Sequence, residues 1–226
     1  MSMITRSAAA AARAAGVRQL ADRPSQRRSA EHGSSTRAQF RAAVQLRAKG
    51  DDESVLQFDG LAAATEQGYE MWDWYGPYTE IVSAGAAAVS LNRADLDVPL
   101  VLQHDPLRRI ARTTNDTLTL AEDDHGLLVD APALDPADHD VAYIAPKLRA
   151  ELIDEMSFMF RITAGHWSPD YTEYRIDAFD IHRGDVAIVG YGANPATAGS
   201  GLRADDRERQ RLALLLDVEI ALGRTA

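Results

Sequence analysis

The chain has 226 residues, a formal net charge of −10 and no cysteine. This length allows one substantial domain with tails, and an apolar share of 46% is enough for a real core. The lack of cysteine excludes disulfide frameworks, thiol nucleophiles and cysteine-based zinc sites. No run approaches the roughly eighteen apolar residues of a membrane-spanning helix. We therefore expect a globular protein of the cytosol without a membrane partner.

The net charge conceals a division along the chain. Residues 1–50 carry ten Lys and Arg against two Asp and Glu, a net +8, whereas the remaining chain carries 14 against 32, a net −18. A basic arm on an acidic body is typical of electrostatic docking to a partner, although a solvated tail explains it equally well. We expect no nucleic-acid partner, because an acidic body is repelled by phosphates.

The first 36 residues are rich in Ala, Arg, Ser and Gln and hold almost no large apolar residue after Leu20. A transient helix over residues 8–20 is compatible with this composition, but such a helix would have little to bury. The composition predicts a basic, mobile N-terminal arm that is also a candidate for removal.

From Ala38 onward, apolar and polar residues alternate with the period of a half-buried strand. Two helices are predicted, over residues 83–91 and 135–153, and Pro146 favours a break in the second. The aromatic cluster between Tyr69 and Tyr78 is typical of core under a loop, with a peptide-binding wall as the alternative. Further short strands are predicted at residues 55–58, 98–103, 110–113, 118–121, 126–131, 156–162, 171–179 and 186–189.

Residues 204–222 predict a C-terminal amphipathic helix with Leu212, Leu215 and Leu216 on one stripe. This helix could pack on its own domain, on a second copy or on a partner helix. About eight short strands with two or three helices predict an α+β fold, mainly β. The architecture is expected to be an antiparallel sheet or barrel with helical decoration.

Three segments carry residues from which a serine-hydrolase site could be built. Ser157 interrupts an apolar strand, His104 ends an earlier strand, and Asp185 precedes a later apolar run. Serine becomes a good nucleophile when an imidazole accepts its proton, and a carboxylate can hold that imidazole in the right tautomer. Spacing alone does not identify such a triad, because Ser in a strand and His at a strand end are common structural residues. The lack of a Gly-x-Ser-x-Gly elbow argues against an α/β-hydrolase.

Other chemistries find less support in the sequence. The cluster of Asp135, Asp138, His139 and Asp140 lacks the second histidine of a zinc helix and the regular oxygen ligands of a calcium loop. Glycine-rich phosphate loops do not occur. We therefore expect neither a metal site nor a cofactor.

Six short motifs follow one another in order over about 140 residues. They are Phe58-Asp59-Gly60-Leu61-Ala62, Tyr78-Thr79-Glu80-Ile81-Val82-Ser83-Ala84-Gly85-Ala86, Val98-Pro99-Leu100-Val101-Leu102-Gln103-His104-Asp105, Glu122-Asp123-Asp124-His125-Gly126-Leu127, Met156-Ser157-Phe158, and Val186-Ala187-Ile188-Val189 running into Ala193-Asn194-Pro195. Each motif is weak by itself, but the ordered set is specific. Together they resemble the prohead (capsid maturation) proteases of tailed bacteriophages of the HK97 type, and the resemblance covers residues from about 38 to 198.

The resemblance implies an assemblin-like fold, that is, an antiparallel β-barrel wrapped by a few helices as in herpesvirus capsid proteases. It implies that Ser157 is the nucleophile and His104 its general base. Asp185 falls where the family has the third catalytic member. His182 is the rival for that position, since herpesvirus relatives use a second histidine.

Three positions depart from the family pattern. Met159 stands where the family commonly has Gly, Asp185 is one methylene shorter than the usual Glu, and Gly192 replaces the usual Pro. The first change could narrow the site, and the second shortens the reach of the carboxylate to His104. We expect the third change to be tolerated.

The implied activity is that of a serine endopeptidase that works by acyl transfer. The implied partners are the scaffold protein or the scaffold-like domain of the major capsid protein, and the protease itself through self-cleavage. Arg161 and Arg183 are candidates, from charge and position, to stabilise a developing oxyanion. The implied location is the host cytoplasm, inside the assembling prohead, with a homodimer left open.

We therefore expect three parts: a basic arm over residues 1–36, a protease domain over residues 37–198, and a helical tail over residues 199–226. The arm and the tail would dock the enzyme to scaffold and be trimmed later. Two alternatives stay open. A catalytically inactive protease-like domain could serve as a capsid assembly or scaffolding factor, and, more weakly, a basic-armed protein could bind nucleic acid.

Overall fold

The structure is a computed structural model that describes residues 4–29, 38–40, 44–49 and 52–190, with side chains for residues 4–27 and 56–190. The predicted C-terminal helix and Gly192 lie outside the described residues. No helix in this part of the chain is long and apolar enough to cross a membrane. The elements are α1 (Arg6–Gly16), β1 (Arg28–Ser29), β2 (Ala38–Phe40), β3 (Val44–Lys49), β4 (Asp52–Ala64), β5 (Tyr69–Trp72), β6 (Pro77–Val82), α2 (Ala88–Leu91), β7 (Pro99–Leu102), β8 (Arg109–Arg112), a 3₁₀ turn (Thr113–Asn115), β9 (Thr119–Asp123), β10 (Gly126–Leu134), α3 (His139–Arg149), β11 (Glu155–Trp167) and β12 (Glu173–Val189).

The larger sheet has eight strands and is organised around β12. Its main order is β1-β5-β6-β12-β11-β2, and β7 also pairs with β12 while β8 pairs with β7. The first part of β12 runs parallel to β6 and its last part runs parallel to β7, whereas β11 is antiparallel along most of its length. A strand of 17 residues is roughly 55 Å long, which is enough to pair with two strands, one after the other, along the same edge.

The smaller sheet has four antiparallel strands in the order β3-β4-β10-β9. Its β9–β10 hairpin turns at Gly126, whose φ is +141° and where a Cβ would lie 1.8 Å from the carbonyl oxygen of Ala63. Only glycine fits such a position. The main core joins the two sheets, with Phe58 and Leu127 from the smaller sheet and Phe158 from the larger one in the same buried cluster.

In the described residues the two sheets are open, so the closed barrel expected from the resemblance is wrong. Closure would require the end strands of a sheet to share a ladder, and β1 and β2 at the two ends of the larger sheet do not. This sheet is also mixed, because β6 and β7 are parallel to β12. The broader prediction of a mainly β, α+β fold is confirmed.

Helix α1 lies on the body of the protein, in contrast to the mobile arm expected for this part of the chain. The side chain of Arg13 is completely buried and forms a two-pronged ion pair with Asp73, at 2.8 and 2.9 Å. Its guanidinium also donates to the carbonyl of Tyr171 at 2.7 Å and lies over the rings of Trp167 and Tyr78, 4.6 and 5.3 Å from their centroids. A planar, multivalent cation of this kind fixes the helix in one orientation.

A second arginine fixes the segment that follows α1. Arg27 donates two hydrogen bonds to the fully buried carboxylate of Glu80, which also accepts from the hydroxyls of Tyr69 and Tyr78. Burial opposes the charge on Arg27, but the negative charge of Glu80 and the hydrogen bonds to it together outweigh burial and raise the pKa of the guanidinium. Burial and the charge of Glu80 together raise the pKa of both tyrosines. The predicted arm is thus tied to the larger sheet at two buried points.

The predicted helix break at Pro146 and the predicted burial of the aromatic cluster can both be compared with the structure. Helix α3 runs without a break through Pro146, because this residue lies on the exposed face and its missing hydrogen bond leaves the carbonyl of the exposed Ala142 open to water. The aromatic cluster is largely core, as expected, since Tyr69 and Tyr78 are buried, although Trp74 is 69% exposed.

Candidate active site

Three adjacent strands of the larger sheet bring the predicted triad residues together. Ser157 lies on β11 directly opposite Ala187 of β12, and Asp185 precedes Ala187 by two residues. Side chains two residues apart on a strand share a face, so Asp185 and Ser157 project from the same side of the sheet. His104 follows β7, which pairs with β12 through Leu100–Leu102.

The loop after β7 turns His104 back over the sheet. Gln103 and His104 both have left-handed backbone conformations, with φ of +55° and +57°. Such conformations are uncommon for residues other than glycine, and histidine is among the side chains that tolerate them best. The Gln103 N–H donates to Ile188 at 2.9 Å, and the Asp105 N–H donates to Leu102 at 3.0 Å. These bonds hold the imidazole in place.

The three side chains form one hydrogen-bonded chain. The distance from His104 Nδ1 to Asp185 Oδ1 is 2.6 Å, and the distance from His104 Nε2 to Ser157 Oγ is 2.8 Å. An ionised carboxylate only accepts hydrogen bonds, so Nδ1 donates to Asp185 and the unprotonated Nε2 accepts from the serine hydroxyl. This tautomer is the one in which imidazole can remove the serine proton.

This hydrogen-bonded chain is shielded from water. Ser157 is 0%, His104 4% and Asp185 3% exposed. Beside it, Val101, Ala187 and Val189 form a small apolar cluster separate from the main core. Low local polarity strengthens the attraction between a transient imidazolium and the carboxylate.

The backbone around Asp185 is fixed by a close strand approach. A Cβ on Gly184 would lie 1.8 Å from the carbonyl oxygen of Met159, and Arg183 just before it has φ of +60°. Met159 pairs in register with Asp185, and the register then shifts by three residues, so that the next pair is Arg161 with Asp180. The Met159 side chain is 37% exposed. Sequence reasoning singled out neither Gly184 nor the Gln103 turn, and a Gly directly before an acid within a strand was the available signal.

His182, the rival third residue, points into a different set of contacts. Its Nδ1 accepts the Asp97 N–H at 3.2 Å, and its Nε2 lies 4.0 Å from Asp95. In the described structure, the hydrogen bond of the His182 ring is therefore made to Asp97 and not to His104.

The two candidate oxyanion residues are also placed. Arg161 is ion-paired with Asp180 at 2.9 Å, and 68% of its side chain is exposed. Arg183 is exposed and donates its backbone N–H to the carbonyl of Asp97 at 2.9 Å. Among the described contacts, neither guanidinium forms a hydrogen bond with Ser157. Stabilisation of an oxyanion by either arginine would therefore require a bridging water or a side-chain rearrangement.

The acidic cluster considered as a metal site has a structural role. Asp138 caps α3 by accepting the N–H groups of Asp140 and Val141, and Asp140 pairs with Arg108 at 2.6 Å. Among the described residues, no group of three or more His, Cys, Asp or Glu side chains is arranged to hold a metal ion.

Comparison with known families decides the assignment. The model of the caudovirus prohead serine protease family matches residues 42–209, which is more than half of the chain. The chain belongs to this family. The matched span contains Ser157, His104 and Asp185, and family membership confirms the resemblance found in the sequence motifs. Prohead serine proteases are bacteriophage proteins of capsid maturation. Neither the curated proteins nor the solved structures contain a significant match.

Two of the family-like motifs meet each other in this prohead protease fold. The carboxylate of Glu122 accepts the N–H groups of Gly85 and Ala87 at 3.0 and 3.2 Å, at the turn that leads into α2. Burial raises the pKa of Glu122 in spite of these bonds. The contact links β9 of the smaller sheet to the turn that follows β6 of the larger sheet. The two motifs thus help to join the two sheets.

Proposed function

We propose that this member of the prohead protease family is an active serine endopeptidase. It cleaves the scaffold protein, or the scaffold domain of the major capsid protein, during maturation of the phage head. The observation that carries this proposal is the continuous hydrogen-bonded chain from Ser157 through His104 to Asp185. Its geometry is that required for nucleophilic acyl transfer.

In the first half-reaction, Ser157 Oγ attacks the carbonyl carbon of the scissile peptide bond. His104 Nε2 takes the hydroxyl proton, and the resulting imidazolium is stabilised by the Asp185 carboxylate at Nδ1. The tetrahedral intermediate collapses when His104 returns the proton to the leaving amine. The new amino terminus departs, and the acyl group stays on Ser157 as an ester.

In the second half-reaction, water takes the place of the leaving amine. His104 removes a proton from the water as it attacks the ester carbonyl, and the intermediate collapses with return of that proton to Ser157 Oγ. The products are a carboxylate and the free enzyme. Asp185 accepts no proton in either step; it orients the imidazole and balances its transient charge.

The proposed setting is the assembling prohead within the host cell. There the protease meets many copies of capsid and scaffold chains, and its own terminal segments are further substrates. The basic N-terminal residues and the C-terminal tail are proposed to guide incorporation into the prohead, as part of an organisation into arm, protease domain and tail.

The test is intact-mass spectrometry of the protease co-expressed with its capsid and scaffold proteins. Wild type should yield truncated capsid or scaffold chains, and Ser157→Ala should yield only full-length chains. Ser168→Ala, which changes the serine that follows the far end of β11, is the matched control and should cleave like wild type. Identical full-length masses for wild type and Ser157→Ala would reject the proposal.

One observation favours the alternative of an inactive, protease-like assembly factor. Ser157 is completely buried in this structure, and a buried serine cannot meet a substrate without a change at the site. In that case prohead assembly should depend on the presence of the protein and be indifferent to Ser157→Ala and His104→Ala. Loss of capsid-protein cleavage in both variants, with assembly retained, would exclude the alternative.

A further inference from the structure

The strand that carries Ser157 is paired on both of its edges. One edge of β11 pairs with β12, and the other pairs with the three-residue strand β2. The register of this second ladder is antiparallel, with Met156 opposite Phe40, Ser157 opposite Gln39, and Phe158 opposite Ala38. A segment from the N-terminal part of the chain is thus aligned directly with the serine.

A peptide substrate needs the same position. For Ser157 Oγ to reach a scissile carbonyl carbon, the substrate backbone must come to about 3 Å from the hydroxyl. An extended peptide achieves this when it lies beside β11 at the usual strand spacing of about 4.8 Å and exchanges main-chain hydrogen bonds with it. The backbone of β2 already lies there, and Ser157 is 0% exposed.

The preceding chain makes β2 an intramolecular ligand. Arg13 and Arg27 are fixed on the sheet by Asp73 and Glu80, and Ala38 follows Arg27 by only eleven positions. A ligand tethered over so short a separation has an effective concentration on the order of millimolar. A strand of three residues contributes few hydrogen bonds, so a longer peptide can still displace it.

We propose that the edge of β11 at residues 156–158 is the substrate-binding edge and that residues 38–40 occupy it as an intramolecular pseudosubstrate. This inference rests on the proposed function of Ser157. The protease is held inactive in cis until a substrate strand, at the high local concentration of the prohead, competes β2 away. The substrate class is an extended polypeptide segment that pairs antiparallel to β11.

The first experiment tests the strand pairing without requiring activity. The chain has no cysteine, so the double variant Gln39→Cys/Ser157→Cys places the only two thiols at directly opposite positions. Under mild oxidation it should form an intrachain disulfide. The control Phe40→Cys/Ser157→Cys, in which residue 40 is in register with Met156 and not with residue 157, should form little. Equal crosslinking in the two variants, or none in the first, would overturn the proposal.

The second experiment tests occlusion with a fluorophosphonate, a probe that phosphonylates an activated serine and loses fluoride. Gln39→Pro and Phe40→Pro each remove one backbone N–H, and at least one of them breaks the ladder to β11. The faster of these variants should be labelled at Ser157 at least tenfold faster than wild type. Gln39→Ala, which keeps the backbone N–H, should match wild type, and Ser157→Ala should not be labelled.

If both proline variants are labelled at the same rate as wild type, the proposal is overturned. This holds whether that labelling rate is high or zero. The cleavage assay with capsid and scaffold proteins then separates the two hypotheses. Cleavage by wild type combined with unchanged labelling would leave the proposed function intact and reject only the pseudosubstrate.

Discussion

At the scale of single residues, the short contact between Asp185 and His104 answers a question that the sequence raised. Aspartate is one methylene shorter than the family's usual glutamate, and its reach was uncertain from sequence. The structure brings its carboxylate to 2.6 Å from Nδ1, because β7 pairs with β12 and the bond from the Gln103 N–H to Ile188 holds the His104 turn on the strand that carries Asp185. Backbone placement compensates for the shorter side chain.

Asp185→Asn should lower the turnover number for scaffold or capsid-protein cleavage by about 10³- to 10⁴-fold. An amide at this position can donate to Nδ1 and would favour the tautomer that protonates Nε2. Steady-state cleavage of a capsid-derived peptide measures the effect, with KM expected to change little. Asp180→Asn, on the same strand and paired with Arg161, is the control. An unaffected rate in Asp185→Asn together with inactivity of His182→Ala would assign the third role to His182.

Gly184→Ala should abolish cleavage and lower thermal stability. The added Cβ would meet the main-chain oxygen of Met159 at 1.8 Å, so the strands must separate beside Asp185. The comparison variant is Gly190→Ala, whose Cβ would meet only the end of the exposed Gln103 side chain, at 3.1 Å. Melting temperature and peptidase activity of the two variants should differ clearly, and equal behaviour would argue against a tight constraint at residue 184.

At the scale of elements, local pattern predicted the strands far better than it predicted their partners. For most strands from β7 to β11, the bounds predicted from the alternation and the apolar runs lie within a few residues of the observed bounds. They divide β12 into two strands, over residues 171–179 and 186–189, whereas tertiary pairing makes it one strand from Glu173 to Val189. A helix in the region of α1 was expected to have little to bury, because the partners of Arg13 lie 60 and 158 positions away in the chain. No local pattern contains that information.

Replacing Arg13 should reveal how firmly α1 is docked. Arg13→Met leaves the carboxylate of Asp73, whose side chain is 1% exposed, without its counter-charge. A broken buried ion pair typically costs about 3–5 kcal/mol in the free energy of unfolding. Urea denaturation followed by tryptophan fluorescence measures the change. Arg18→Met, an exposed arginine just after the same helix, should change it by less than about 0.5 kcal/mol.

At the scale of the whole molecule, the sequence indicated the composition of the fold but could not establish whether the sheet closes. Barrel closure depends on strand tilt, shear and which end strands meet, and none of these leaves a local signature. The triad residues were identified through motif resemblance, since spacings of 53 and 81 positions from His104 carry no geometric meaning until the strands are paired. Once β7, β12 and β11 are adjacent, the contact follows.

Stability of the whole domain should decrease on acidification through its arginine-paired carboxylates. The hydrogen bond from Arg112 lowers the pKa of Asp97 below 3.8, and that from Arg175 lowers the pKa of Glu66 below 4.5. A lowered folded-state pKa gives stability that is present above the ordinary value and lost as the pH falls through the lowered one. Urea midpoints should therefore fall as the pH drops below these ordinary values.

The double variant Asp97→Asn/Glu66→Gln identifies the source of this dependence. It should be less stable than wild type at pH 6, and its urea midpoint should fall less between pH 5 and pH 3. Asp124→Asn, in the exposed β9–β10 turn, is the control and should keep the wild-type slope. If the urea midpoint of the double variant falls with pH as steeply as that of wild type, other groups govern the loss of stability at low pH.

The central position of β12 also dictates when the candidate triad can assemble. This strand joins β6, β7 and β11, and it is the last described strand to leave the ribosome. Elongation at about 5–20 residues per second separates His104 from Asp185, 81 positions later, by roughly 4–16 s. During that interval the growing chain holds His104 and then Ser157, but it lacks the strand that lies between them. The proposed catalytic geometry therefore cannot form on a partly synthesised chain.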